Sequence, residues 1–319
     1  MDFGSINPVA LFAGLVIAAT PLLYAAIGEL IAEKSGVLNL GVEGMMIMGA
    51  VSGFAIAVNT GSPVLGFIGA AVAGALLSMI FGVLTQILLS NQVATGLALT
   101  LFGLGFAALI GQPYAGIRPP GFAKLDIPFL GDLPILGRAV FSFDIMVYLG
   151  VVLVAAVWFF LRYTRAGLIL RAVGESHDAA HSLGYPVIAI RLAAIAFGGA
   201  CAGLGGAYLS LVRVPQWTEG MTAGAGWIAL AIVVFSAWKP WRVLIGAWLF
   251  GGVTILQLNL QASGFLSWLQ SMGIPAQSQY LSMAPSLITI LVLVFISADR
   301  TRASLNAPAS LGRVFARSS

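Results

Sequence analysis

Residues 1–28 read MDFGSINPVALFAGLVIAATPLLYAAIG, and from Val9 to Gly28 no charge interrupts the run. About twenty apolar residues in a helix cross the roughly 30 Å hydrocarbon core of a bilayer. The stretch holds one acid, no basic residue and no small-residue cleavage pattern, so it reads as a first membrane span and not as a signal peptide. The rest of the chain repeats the theme. Of 319 residues, 60% are hydrophobic and 8% charged, and the mean hydropathy is +1.01. A soluble domain carries about 25% charged residues, so this chain has too little charge to clothe a water-soluble body of its size. No ten-residue alternation of a membrane barrel is present, which leaves helices. The expectation is an all-α, polytopic transmembrane helical bundle.

Hydropathy places about nine spans, at 9–31, 42–59, 64–89, 92–112, 144–162, 191–213, 224–238, 243–260 and 284–298. They form one transmembrane domain over residues 1–319, with longer connections at 113–143, 163–190 and 261–283 and a tail over 299–319. Lys and Arg divide unevenly between alternate connections. Eleven fall in the set that includes Lys34, Arg162, Arg165, Arg171, Arg191, Lys239 and the tail; four (Arg118, Lys124, Arg138, Arg213) fall in the other. The positive-inside rule then puts the N-terminus outside and the C-terminus in the cytoplasm. A pI near 9.5 invites a nucleic-acid reading. The basic residues, however, sit in loops between spans and fit membrane topology better.

The first span runs into GELIAEKS (28–35), which differs from a phosphate-binding loop only at Glu33, where the second glycine belongs. A working loop joins a strand to a helix and wraps phosphates in backbone N–H groups. Here the stretch ends an apolar helix, and Glu33 would repel the phosphates. No ATP site is expected in this chain. The following SGVLNLGVEGMMIMGA (35–50) breaks the helical pattern at Gly36, Gly41 and Gly44 and sets Asn39 and Glu43 among apolar residues. Such breaks line a polar pathway or make a tight turn in which Glu43 steadies a helix N-terminus; both readings stay open. Asn91 and Gln92, at the start of the fourth span, share that ambiguity.

The connection 163–190 contains HDAAH, with His177 and His181 one helical turn apart and no other histidine in the chain. A zinc protease needs Glu where Asp178 stands, and a carboxylate one methylene shorter reaches a metal-bound water badly. No metal site is expected. The stretch reads instead as a short amphipathic helix over 175–183, in which Glu175, Asp178 and His181 offer polar contacts and Ala179, Ala180 and Leu183 small apolar ones, with His177 also in the candidate docking set. Gly184 stops it and Pro186 prevents its resumption. An alanine-rich helix between two spans suits a groove on a cytoplasmic partner. Further on, FGGACAGLGGAYLSL (197–211) spaces Gly199 and Gly203 for close helix packing, within the chain or across a dimer. The lone Cys201 excludes an internal disulfide, and no nucleophile, base and acid fall together, so the chain is not expected to be an enzyme.

EKSGVLNLGVEGMM, GESHDAAHSLGYPVIAIRLAAIAFGGACAGLGGAYLSL and AGAGWIALAIVVFSAWKP resemble permease subunits of bacterial ABC importers. The branch is the ribose/branched-chain amino acid permease family, and the likeness covers about 9–298. Sugar members carry a Gly-Ile-Asp-Leu-Ser-Val-Gly-like run where this chain has GVLNLGVEG, which is closer to nucleoside-uptake members. The resemblance implies a multi-pass protein of the bacterial inner membrane that carries a nucleoside, or alternatively a simple sugar such as ribose. It implies that the helix around Glu175–Gly184 enters the groove of a separate ATPase subunit, which holds ATP and magnesium. A second homologous permease and a substrate-binding lipoprotein or periplasmic protein complete the implied complex. Membrane lipid surrounds it and nucleic acid has no part. A rival class, an ion-coupled secondary transporter, needs buried ionisable residues, and Glu29 and Glu43 are the ones that invite it.

Overall fold

The computed structural model describes residues 8–123, 125, 141–263 and 307–316, with scattered positions between 266 and 294. Among them there is no strand, and an isolated bridge joins Ala115 to Trp217. The helices are α1 (Pro8–Lys34), α2 (Val42–Thr60), α3 (Pro63–Gly82), α4 (Gln92–Gly111), α5 (Ile145–Tyr163), α6 (Arg165–Glu175), α7 (His177–Ser182), α8 (Val187–Tyr208), α9 (Ala225–Phe235), α10 (Pro240–Ala262) and α11 (Ser278–Ser282). Two π-helical turns, Val83–Ile87 and Leu209–Arg213, extend α3 and α8. Seven of these helices are long and apolar enough to cross a membrane: α1 to α5, α8 and α10.

Two expectations are corrected. Residues 224–238, read as a span from hydropathy, fold as the 11-residue α9, about 16 Å long and too short to cross. Left-handed residues bracket it. Ala223 and Gly224 (φ 46° and 84°) precede it, and Ala237 and Trp238 (φ 48° and 55°) follow, an unfavourable conformation for side chains with a Cβ. The connection 163–190, from which one helix was expected over 175–183, contains two. The first, α6, ends at Glu175, and Ser176 caps the second by accepting from the Ala179 amide at 3.3 Å. The expected span at 284–298 lies for the most part outside the described residues, as do 126–140 and most of the tail.

The core is α2, wrapped by α3, α4 and α8, with Met45, Met46, Ile47, Val51 and Phe54 fully enclosed, while α1 packs against α8 and α10. Small residues set how closely these helices cross. A Cβ on Gly203 would overlap the Ala70 carbonyl, one on Gly199 the Gly74 carbonyl and Ser78 Oγ, and one on Gly206 the Met46 carbonyl. Both Gly199 and Gly203 thus lie at crossings inside the chain, where close backbone approach supplies the packing that lipid alone does not drive. On α3, α4 and α5, by contrast, Leu76, Leu101, Leu109 and Val152 are exposed, forming an apolar outer surface suited to hydrocarbon.

One polar fastening crosses this core. Asp144 caps α5 through the amides of Met146 and Val147 at 3.0 and 3.3 Å, and its other oxygen accepts from the Tyr208 hydroxyl of α8 at 2.7 Å. Tyr208→Phe keeps the ring and removes that bond. We expect it to lower the stability of the purified protein by about 1–2 kcal/mol, read by thermal unfolding in detergent. An unchanged midpoint would show the bond to contribute nothing.

Candidate functional site

The chain between α1 and α2 folds back along α1 after leaving it. The Asn39 amide donates to Glu29 Oε1 at 3.2 Å, more than a helical turn before the end of α1. Gln92 Oε1 accepts from the Leu38 amide at 2.8 Å, and the Thr100 hydroxyl donates to the Leu40 carbonyl at 3.1 Å. Asn39 Oδ1 accepts from the Gly41 amide at 2.9 Å and its Nδ2 donates to Met45 Sδ at 3.3 Å, so the side chain closes a turn on itself. Asn91 is exposed and caps α4 by accepting from the Ala94 amide at 3.0 Å.

Glu43, in the first turn of α2, is 3% exposed. Its Oε1 accepts from Thr222 Oγ1 at 2.6 Å and from the Gly224 amide at 2.9 Å, and its Oε2 accepts from the Gly226 amide at 2.7 Å. A carboxylate therefore sits on the open N-terminus of α9, where orphan amides and the helix dipole favour negative charge. The structure brings Asn39, Glu43 and Gln92 to one turn and leaves Asn91 outside it. Each of the three engages its own backbone or a neighbouring segment.

At the C-terminal end of α9, Trp238 Nε1 donates to Glu33 Oε2 at 2.5 Å. Glu29 and Glu33 are both buried on α1, so the acids of GELIAEKS serve as fasteners of the α1–α2 turn and of α9. Residues 28–34 of that stretch are helix, and the Ser35 hydroxyl donates back to the Ala32 carbonyl at 2.6 Å.

The same end of the bundle carries α6 and α7. On α7, His177 and Ala180 turn inward, whereas Asp178 and Ala179 are exposed; the exposed Glu175 precedes it. Leu183, 76% exposed, and Gly184 (φ 86°) project beyond its end. Ala180 packs with Val173, Val187 and Phe315. Burial, then the nearby Arg191 guanidinium, lowers the His177 pKa below its ordinary 6.5. The unfolded chain then binds this proton more readily. This contribution to stability is present above the ordinary imidazole range and is lost as the pH falls through it. Among the described residues no group of three or more His, Cys, Asp or Glu could hold a metal ion. A crevice of about 640 Å³ opens between α1, α5, α6 and α8, lined by Leu153, Val157, Phe160, Ile169, Ile190 and Phe197 among others. Its walls are almost wholly apolar, a poor match to a ligand rich in hydroxyls.

Sequence reasoning missed Arg191, Thr222 and Trp238. Arg191 was counted as a loop cation, yet it is 0% exposed within α8. A single arginine in an apolar helix was the available signal.

An all-helical bundle with seven apolar helices of membrane-crossing length is the architecture of a multi-pass membrane protein. The chain belongs to the family described as "Branched-chain amino acid transport system / permease component", which matches residues 11–296. It is similar to a putative glucose ABC transporter permease protein of Haloferax volcanii, 44% identical over 77% of this chain and 76% of that protein. It is also similar to the guanosine ABC transporter permease protein NupQ of Bacillus subtilis, 34% identical over 92% of this chain and 93% of that one. The nucleoside ABC transporter permease protein NupC of Lactococcus lactis is 30% identical over 88% of this chain and 90% of its own length. No solved structure matches the chain significantly.

Proposed function

We propose that this chain is the membrane-spanning permease subunit of an ATP-driven importer for nucleosides in the cell membrane. The observation that carries this reading is the near end-to-end match to a guanosine and a nucleoside permease. In this reading ATP and magnesium belong to a partner ATPase that docks on α7. A second homologous permease completes the translocation path, and a substrate-binding protein delivers the nucleoside from outside. In this reading the α6–α7 end faces the cytoplasm. The N-terminus lies outside and the tail inside, as the distribution of Lys and Arg supports.

The substrate path runs beside the α1–α2 turn and the N-terminus of α9, since discontinuous helices in transporters gather around substrate. Asn39, Glu43 and Gln92 act there chiefly by holding the turn and α9 in place. Asn91, exposed at the start of α4, remains available to a ligand. A glucose reading has its own support in the 44% identical relative. The two are separated by uptake of labelled guanosine, uridine, glucose and ribose into proteoliposomes holding the whole transporter with internal ATP. We expect saturable nucleoside uptake that excess glucose does not compete. Glucose uptake without nucleoside uptake would replace this reading with the sugar one.

A further inference from the structure

Arg191 lies in the first turns of α8, fully enclosed. Its Nε donates to the Ser35 carbonyl at 3.2 Å, just past the end of α1. One terminal nitrogen donates to Gln86 Oε1 in the π turn of α3 at 3.3 Å and to the Arg313 carbonyl at 3.1 Å. The other is 3.4 Å from His177 Nδ1, at the start of α7. Among the described residues no carboxylate forms a salt bridge with it. The nearby Asp178 carboxylate favours its charge but makes no direct pair with it, so burying the guanidinium carries a desolvation penalty that this attraction and the neutral acceptors offset only in part. An apolar residue of similar size would fill the space without that penalty. What a guanidinium adds is a rigid fork of five donors that can hold several segments in one geometry.

The C-terminal segment reinforces the same place. The Ser310 amide donates to the Gly174 carbonyl at 2.9 Å, its hydroxyl to the Glu175 carbonyl at 3.2 Å, and the Gly312 amide to the Gly36 carbonyl at 3.1 Å. Phe315 presents its ring edge-on to both His177 and His181, with centroids 5.4 and 5.3 Å apart. Residues 310–315 thus join the end of α6 and the inner side of α7 to the turn between α1 and α2. Gly36 has φ 89°, and a Cβ there would crowd Arg191, so the turn is shaped around the guanidinium.

We propose that Arg191, with the 310–315 segment, is the joint that passes movement of α7 to the ends of α1 and α3, making it a positioning residue for coupled transport. This rests on α7 being the helix that docks the ATPase. Through that joint, a displacement of α7 pulls on the Ser35 carbonyl and on Gln86 together. The α1–α2 turn, and with it Glu43 and α9, then follows.

The test uses the complete transporter in proteoliposomes, with Arg191→Lys, Arg191→Met and Phe315→Ala variants. Three quantities are read: ATPase copurification, ATP hydrolysis, and nucleoside taken up per ATP hydrolysed. Arg191→Met should keep copurification and hydrolysis while uptake per ATP falls about tenfold, within the usual range of coupling factors. Arg191→Lys, which keeps the charge but not the fork, should fall between. Phe315→Ala should lower the same ratio and covers the case in which Arg191→Met does not reach the membrane. Wild-type uptake per ATP in whichever of these variants assembles overturns the joint. A cysteine placed at Ala179 checks the docking reading separately, because the native Cys201 is buried. Its failure to crosslink to the ATPase overturns both ideas. Crosslinking with an unchanged ratio overturns the joint alone.

Discussion

Glu43→Ala is expected to abolish uptake and to destabilise the protein by about 3 kcal/mol or more, because each buried donor left unpaired costs about 1–3 kcal/mol. Three donors lose their acceptor at once: the Thr222 hydroxyl and the amides of Gly224 and Gly226. The amides belong to the entry of α9, where Ala223 already holds a left-handed conformation unfavourable to a residue with a Cβ. Without the carboxylate, α9 has little reason to begin where it does. Glu43→Gln keeps the shape but turns an NH₂ toward one of those donors, and a smaller loss in the same direction should follow. Uptake, together with thermal unfolding in detergent, separates this from a substrate contact. A mere pathway ligand would lose affinity and keep its melting temperature. Wild-type unfolding of Glu43→Ala would therefore sink the fastening role.

Most of the fold was legible because a bilayer imposes one rule, twenty apolar residues per crossing, and the boundaries of α1, α2, α4, α5 and α10 follow it closely. The same rule misread 224–238. Hydropathy counts side chains, and what ends α9 is backbone conformation at Ala223, Gly224, Ala237 and Trp238 together with two acids from elsewhere in the chain. Glu43 and Glu33 lie 179 and 205 residues from Thr222 and Trp238, respectively. No local pattern announces such a pairing. The site behaved alike. The break at 36–44 was plain from its glycines, but whether Asn39 and Glu43 faced a ligand or their own backbone depended on long-range partners. In α7 the helix was readable while its inward face was not, since Ala179 and Ala180 are equivalent until Phe315 is placed.

That difference in facing sets the second large effect. Leu183→Asp should cut ATPase copurification and transport sharply while leaving the bundle folded. Leu183 is 76% exposed at the end of α7 and follows the exposed Asp178 and Ala179, so under the proposed docking on α7 it is the apolar anchor that a partner groove would enclose. Losing a central anchor of an interface costs about 2 kcal/mol or more, roughly thirtyfold in affinity. Ala179→Trp should act in the same way through bulk on the same face. Ala180→Trp is a different experiment. Its side chain is buried against Val173, Val187 and Phe315, so a large ring there would lift α7 off its own protein. Overpacking of that kind costs about 1–3 kcal/mol, and both the local fold and the docking should suffer. Limited proteolysis of 163–190 tells the two apart: the region should stay protected in Leu183→Asp and become cleavable in Ala180→Trp. Should Leu183→Asp and Ala179→Trp both retain the ATPase at wild-type levels, the partner binds a surface other than α7.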